Sequence, residues 1–236
     1  MANEGSPRQI WYLKGVELFR HLPTRTRHRL EARLKPLRFT RGRVIFSAGE
    51  PARSVFLVRR GAVEIARVSP RGRKVTLAVV GPGEVFGYLG VLSRGDRPHV
   101  ATSLEACEIV QIPSREIRRL CRLHPDFTLQ VARTLEGTAI RYSAKIESLL
   151  FKPVAVRLAE ALGGLAQRFG TRQDGAWRLD LRMTQQSLAN LIGASRQHVG
   201  AALHTLTAQG LIRQVREYLG RFEIPDMARL ASTQAR

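Results

Sequence analysis

A chain of 236 residues with 44% apolar side chains has enough hydrophobic surface for two modest cores. No apolar run approaches the ~18–20 residues that span a bilayer, and the first residues lack the apolar stretch of a secretory signal, so no membrane partner and a reducing cytoplasm are expected. Two cysteines, Cys107 and Cys121, match no zinc spacing and cannot by themselves make a four-thiolate cluster, while 39 Lys and Arg against 19 Asp and Glu, a net charge of +20, favour an anionic partner.

Residues 37–113 read as short strands punctuated by Gly and Pro. The stretch SVFLVRRGAVEIARV (54–68) is two alternating runs about Arg60-Gly61. SPRGRK is a turn, VTLAVV a strand, GPGE a turn and VFG another strand. After the loop SRGDRP come HVATSL and CEIVQI. Strands of this length and spacing predict an antiparallel sandwich or barrel. PSREIRRL (113–120) is then a short helix.

A long uninterrupted helical stretch follows, from about Asp126 to Leu150. Leu135, Ala139, Tyr142, Ile146 and Leu149 are spaced 4-3-4-3, the seam of a coiled coil about two heptads long. Such a seam packs on the chain's own sheet or on a second copy. A helix this long beside a small barrel can do both, and a homodimer is expected. Pro153 opens the next helix at its N-terminus, where proline is tolerated, which places a hinge at Phe151-Lys152.

Beyond it, AWRLDL (176–181) alternates and reads as a strand. In TQQSLANLIGASRQHVGAAL (184–203), Leu188 and Ile192, then Val199 and Leu203, form i,i+4 apolar pairs around Gly193-Ala194-Ser195. Gly193 can take a positive φ and close the first helix, and Ser195 can cap the second. Ala189 is small where a crossing helix presses. Four residues from Ala189 to Gly193 and six more to Val199 make the helix-turn-helix pattern. A helical hairpin in an ordinary core shares that period. The outer face separates the two readings. Arg196, Gln197, Gly200, Ala201 and His204 fall opposite the apolar stripe, near the end that enters a major groove in this motif. Arg can pair with both guanine acceptors and Gln with adenine, while Gly200 and Ala201 leave room for close approach or a thymine methyl. A merely solvated face favours Glu or Lys over Gly and Ala. LIRQVREYLGRFEIP (211–225) reads as a two-strand hairpin with Gly220 at its turn, and Arg213, Arg216 and Arg221 there can meet phosphates. With Thr184, Gln185 and Ser195 at the two helix starts, these residues form the candidate DNA surface of a winged helix-turn-helix.

The positive charge is not concentrated in that part. Residues 1–150 carry 27 Lys and Arg against 13 Asp and Glu, and residues 151–236 carry 12 against 6. Either DNA wraps against the flanks of the protein, or the chain comes from an Arg-favouring genome.

The stretches FSAGE (46–50), VFLVRRGAVEI (55–65), GPGEVFGYLGVL (81–92), the helix after HPD (124–126) and SLANLIGASRQHVGAAL stand in a characteristic order and spacing. In them the chain resembles the cyclic-AMP receptor / Fnr (Crp/Fnr) superfamily of bacterial transcription regulators, over residues 18–224. The resemblance implies an α+β fold. Residues 1–125 are expected to form an antiparallel β-roll, a cyclic-nucleotide-binding-like jelly roll that serves as effector domain. A dimerisation helix and hinge follow over 126–152, and a winged helix-turn-helix DNA-binding domain over 153–236. It also implies an allosteric regulator that binds a two-fold, inverted-repeat DNA site as a homodimer and recruits or blocks RNA polymerase. No segment remains for a catalytic domain, and no Ser/His/Asp order, phosphate loop or metal triad stands out, so no enzyme activity is expected.

In the effector pocket this sequence departs from the cyclic-AMP receptors of the family. They read the ribose with a Glu in a Gly-Glu-Leu motif; here GYLG puts Tyr88 in its place. Their phosphate site is an Arg-Ser pair; here Asp96-Arg97-Pro98-His99 keeps Arg97 without the Ser. The Thr-Ser that touches the adenine becomes Tyr142-Ser143. Gly87, Tyr88, Leu89, Arg97, Tyr142 and Ser143 are therefore the candidate effector residues. Without the ribose carboxylate, buried hydroxyls lack their acceptor, at about 1–3 kcal/mol. An effector other than cyclic AMP, or none, is expected, and no cofactor or metal. FGYLGVLS is similar to the stretch in the cyanobacterial nitrogen regulators, which sense 2-oxoglutarate, and the Fnr-type N-terminal cysteine cluster is absent. Two alternatives stay open: a cyclic-nucleotide-responsive sensor module acting on a partner protein, and a haem- or redox-responsive member of the same family. In the recognition helix the receptors carry Arg-Glu first and a further Arg one turn later. Here Arg196-Gln197 stand first and Ala201 later, so Arg196 keeps its guanine and the other two base contacts change.

Overall fold

The computed structural model describes residues 13–214 and 220–235. The strands foreseen between residues 37 and 113 form two four-stranded sheets. β1 (Lys35–Phe39), β8 (Cys107–Pro113), β3 (Ser54–Arg60) and β6 (Val85–Phe86) lie side by side in that order, with every pairing antiparallel. β2 (Val44–Phe46), β7 (Val100–Ser103), β4 (Val63–Val68) and β5 (Lys74–Val80) make the second sheet in that order. The runs on either side of Gly61 thus enter different sheets. β3 also departs from alternation, with Ser54 to Val58 all buried. Val55 and Leu57 join a cluster with Leu13, Phe19, Ile112, Ile117, Phe127 and Val131. Phe56, between them, stacks at 5.6 Å on Phe46 and at 5.3 Å on Phe86. A strand covered on both faces reads as a continuous apolar run, and its length, not its period, marks it as a strand.

Two short 3-10 turns, Leu13–Gly15 and Glu17–Phe19, lead into α1 (Thr24–Glu31). After β8 come α2 (Ser114–Leu123) and α3 (Pro125–Phe151), the long helix foreseen over Asp126 to Leu150. The chain bends at Lys152, and Pro153 stands just before α4 (Val154–Phe169) with φ −58°, the value its ring imposes.

β9 (Gly170–Gln173), β10 (Ala176–Leu179), α5 (Gln185–Ile192), α6 (Arg196–Ala208), β11 (Arg213–Gln214), β12 (Phe222–Ile224) and α7 (Met227–Ala231) follow, with a last 3-10 turn at Ser232–Ala235. The four strands form one sheet in the order β11-β12-β10-β9. The hairpin foreseen over 211–225 is present as the antiparallel pair β11 and β12, although residues 215–219 at its tip lie outside the described residues. α4 packs against α5, α6, α7 and the sheet, burying Leu158, Leu162 and Leu165 against a core that includes Leu188, Val199, Leu203 and Leu206. Sequence reasoning missed β9. Its signal was Asp174-Gly175, with φ of 49° and 81°, the paired positive angles of a tight hairpin turn.

The chain forms two compact units, one of residues up to Val63 with Val80–Arg141, the other of Glu64–Val79 with the residues from Tyr142 on. Among the described residues no helix is long and apolar enough to cross a membrane.

Candidate DNA interface and effector site

Helix α5 starts at Thr184, whose Oγ1 accepts from the Ser187 amide at 3.0 Å, and ends at Gly193, in the left-handed region at φ 66°. Ser195 then caps α6, its Oγ accepting from the His198 amide at 3.2 Å. Three residues therefore separate two capped helices, and the underside of α6 is closed: Val199, Ala202, Leu203 and Leu206 are buried. At 3.6 residues per turn, Gln197, Ala201 and His204 lie at the centre of the opposite face. Arg196 and Gly200 lie along one flank of it, and His198 and Thr205 along the other. All of these are exposed except Gly200, which is half-buried. A Cβ on Gly200 would stand 3.9 Å from Gln185 Oε1, so the exposed start of α5 borders the middle of α6. His198 and Thr205 were missed by the sequence reading. Plotting the whole exposed arc of the helix, not its midline alone, would have found them.

The hairpin beside α6 divides the three arginines. Arg213 is 70% exposed and holds Glu223 at 3.5 Å. Arg221 is half-buried, and Arg216 lies outside the described residues.

Of the candidate effector residues in the first unit, Gly87, Tyr88, Leu89 and Arg97, only some meet. Arg97 and Gly87 meet inside the roll. Arg97 is buried, donates from Nη1 to the Gly87 carbonyl at 2.9 Å and from Nη2 to the Ser54 carbonyl at 2.8 Å, and lies 4.0 Å over the Phe46 ring. Burial pushes its guanidinium below the ordinary value, against the pull of the Glu50 carboxylate. Tyr88 faces away, packing against the cluster that holds Val55 and Leu57. Its hydroxyl lies 2.5 Å from Thr138 Oγ1 on α3. Thr138 already donates to the Thr134 carbonyl at 2.9 Å and accepts from Arg141 Nη2 at 2.6 Å. Its one proton is committed, so Tyr88 is the donor. Leu89 is half-buried beside Tyr88. Tyr142, half-buried, and Ser143, exposed, sit one turn beyond Thr138 on α3, in the other compact unit.

Of the seam residues, Leu135 packs against the first unit's apolar cluster, Ala139 is exposed, and Ile146 is 59% exposed. Leu149 lies against Gly193, where a Cβ would come within 2.5 Å of its Cδ2. Burial, with Glu105 adding, pushes the Cys107 thiol up to about 11, and burial raises Cys121 too, against a hydrogen bond from Thr128. Among the described residues no group of three or more His, Cys, Asp or Glu is placed to hold a metal ion.

Known proteins match both parts of this architecture. Residues 36–124 fit the family model of the cyclic nucleotide-binding domain, and residues 156–233 that of the Crp-like helix-turn-helix domain. The chain is 35% identical over 184 residues to the CRP-like cAMP-activated global transcriptional regulator of Mycobacterium tuberculosis, covering 78% of this chain and 82% of that protein. The chain belongs to the Crp/Fnr family of transcription regulators. A second Crp/Fnr relative, the global nitrogen regulator of Synechocystis, is 30% identical over 176 residues, 74% of this chain and 78% of its own. Among solved structures, the c-di-GMP-responsive global regulator CLP of Xanthomonas campestris shares the Crp/Fnr fold at a TM-score of 0.71 and 23% identity, covering 84% of this chain and 98% of that one. Both relatives are global regulators, the first of them a transcriptional one.

Proposed function

We propose that this Crp/Fnr protein acts as a cytoplasmic homodimer on an inverted-repeat operator, reads bases with the N-terminal half of α6, and works with RNA polymerase under an effector other than cyclic AMP, or under none. The observation that carries the reading is the start of α6. A capped, rigid end displays Arg196 and Gln197 above an underside fully committed to the core. Such an end fits a major groove, where Arg pairs with guanine and Gln with adenine. The effector half of the reading rests on Arg97. Both terminal nitrogens of this guanidinium donate to backbone carbonyls, and its face is stacked on Phe46. A cyclic phosphate would have to displace those bonds and would find no carboxylate for the ribose from position 88, where Tyr88 turns away to Thr138. The Mycobacterium tuberculosis relative is cAMP-activated. This chain, by contrast, is expected to give no response to cyclic AMP.

Two measurements test it. Selection from a random duplex library is expected to return an inverted repeat with half-site centres about 10–11 base pairs apart, one turn of DNA. Calorimetry with cyclic AMP is expected to show no heat; binding at micromolar concentration overturns the effector reading and leaves the operator reading standing.

A further inference from the structure

The end of α3 is fastened to the helix-turn-helix by two cations. Lys145 donates from Nζ to the Leu191 carbonyl, and Arg157, on the first turn of α4, donates from Nη1 to the Ile192 carbonyl at 2.9 Å. Those are the last two carbonyls of α5, at the end where no intrahelical donor remains and the backbone dipoles leave partial negative charge. Leu149, one turn after Lys145, lies against Gly193, where a Cβ would stand 2.5 Å from its Cδ2. Three side chains from α3 and α4 thus surround the turn that joins α5 to α6.

The arrangement is costly for mere packing. Burial lowers the Lys145 pKa, and the neighbouring Arg157 charge lowers it further. The Nε of Arg157 is buried without a hydrogen-bond partner among the described residues. An apolar pair would fill this space with neither penalty. What the cations add is direction, since each is aimed at one carbonyl. The turn they hold is only three residues long, and Arg196 follows Ile192 by four, so the start of α6 has little freedom to move relative to this clamp.

We infer that Lys145 and Arg157 are positioning residues: they lock the helix-turn-helix turn to the end of the long helix, so that the packing of two long helices dictates the distance between two recognition helices on DNA. This rests on the reading of the protein as a dimer on an inverted repeat. Without the lock, the bend at Lys152 and Pro153 would let α4 and the helix-turn-helix swing together.

The test uses full-length protein and the duplex that wild type selects from a random library, rebuilt with the half-sites one base pair closer, one farther, and as an isolated half-site. One base pair changes the separation by about 3.4 Å and the facing by about a tenth of a turn. Wild type is expected to lose about tenfold at either altered spacing, a loss of the size of one mismatched base pair. Lys145→Met keeps the side-chain stem and removes the donor. It is expected to bind the selected duplex more weakly, to lose less than about threefold at the altered spacings, and to bind the isolated half-site as wild type does. Arg157→Met, at an independent position, is expected to flatten the profile in the same way. A variant profile that runs parallel to wild type overturns the inference. So does an equal loss on the isolated half-site, which would mean that these residues support the fold of α6 and not its spacing. A flat wild-type profile overturns the dimeric reading itself, and the lock with it.

Discussion

At the scale of single residues, Arg196 and Arg213 offer the clearest contrast. Both are exposed arginines within one compact unit, but their settings differ. Arg196 opens a capped helix, has little chain freedom behind it, and holds no carboxylate in any described ion pair. Arg213 lies on a two-residue strand and holds Glu223 at 3.5 Å. The first setting suits a base edge, where geometry decides; the second suits a phosphate, where charge decides. Arg196→Ala is expected to cost roughly 1–3 kcal/mol per half-site and to relax the preference at one guanine. Arg213→Ala is expected to weaken all sequences about equally and to reduce the salt slope by about one. Both are measured by titrating a library of operator variants at two salt concentrations. A uniform loss for Arg196→Ala would make it a phosphate contact, and no loss would turn α6 away from DNA. Much of this was legible in the sequence, because capping and apolar spacing are local. Gly193 and Ser195 announce the turn by residue type alone. The course of Tyr88 was not legible. Its neighbours Gly87 and Leu89 say nothing of which face of the roll it joins, and its partner Thr138 is fifty residues away.

Among the elements, α3 shows where periodicity stops being informative. Its length and bounds follow from an unbroken helical run between Pro125 and Pro153. The spacing of its apolar residues does not say which of them serve their own chain. Leu135 packs within the chain and Leu149, 37% exposed, touches Gly193, while Ile146 at 59% and Ile140 at 63% stand open. The same ambiguity affects β3, where burial on two faces erased the alternation expected of a strand. For α3 the open residues are the informative ones. Ile146 contributes little to the single chain, so a charge placed there disturbs mainly what a second copy would cover. Ile146→Asp is expected to leave the fold intact, to bury unpaired charges at a two-fold axis, and to weaken association and DNA binding together. Sedimentation reads the first effect and operator titration the second. An unchanged dimer that still binds its operator would move the seam to another face of the helix.

For the whole molecule, charge is the property no single element explains. The net +20 is spread along the chain, with 27 Lys and Arg against 13 Asp and Glu before residue 151. Within the roll, acids are used locally and often shared. Glu108 holds Arg59 at 2.5 Å and Arg38 at 4.0 Å, and Glu116 holds Arg33 at 3.6 Å and Arg119 at 3.5 Å. Each acid that serves two cations neutralises only one charge, so the surplus stays on the surface of the roll. A surface of that sign attracts a polyanion at any sequence, and each phosphate it neutralises adds about 0.9 to the salt slope of binding. If the charge reflects only an arginine-rich genome, the slope is complete once the duplex covers both half-sites. If the roll's flanks meet DNA, the slope keeps steepening as the duplex is lengthened beyond them. The second outcome is expected here, because the excess is larger before residue 151 than after it. Binding is measured over a salt series on duplexes of about 22 and about 40 base pairs with the same central operator, the longer adding nearly one turn of DNA on each side. A steeper slope on the longer duplex assigns the roll's charge to DNA. Equal slopes confine the contact to α6 and the hairpin, and leave the arginines of the roll as a matter of composition.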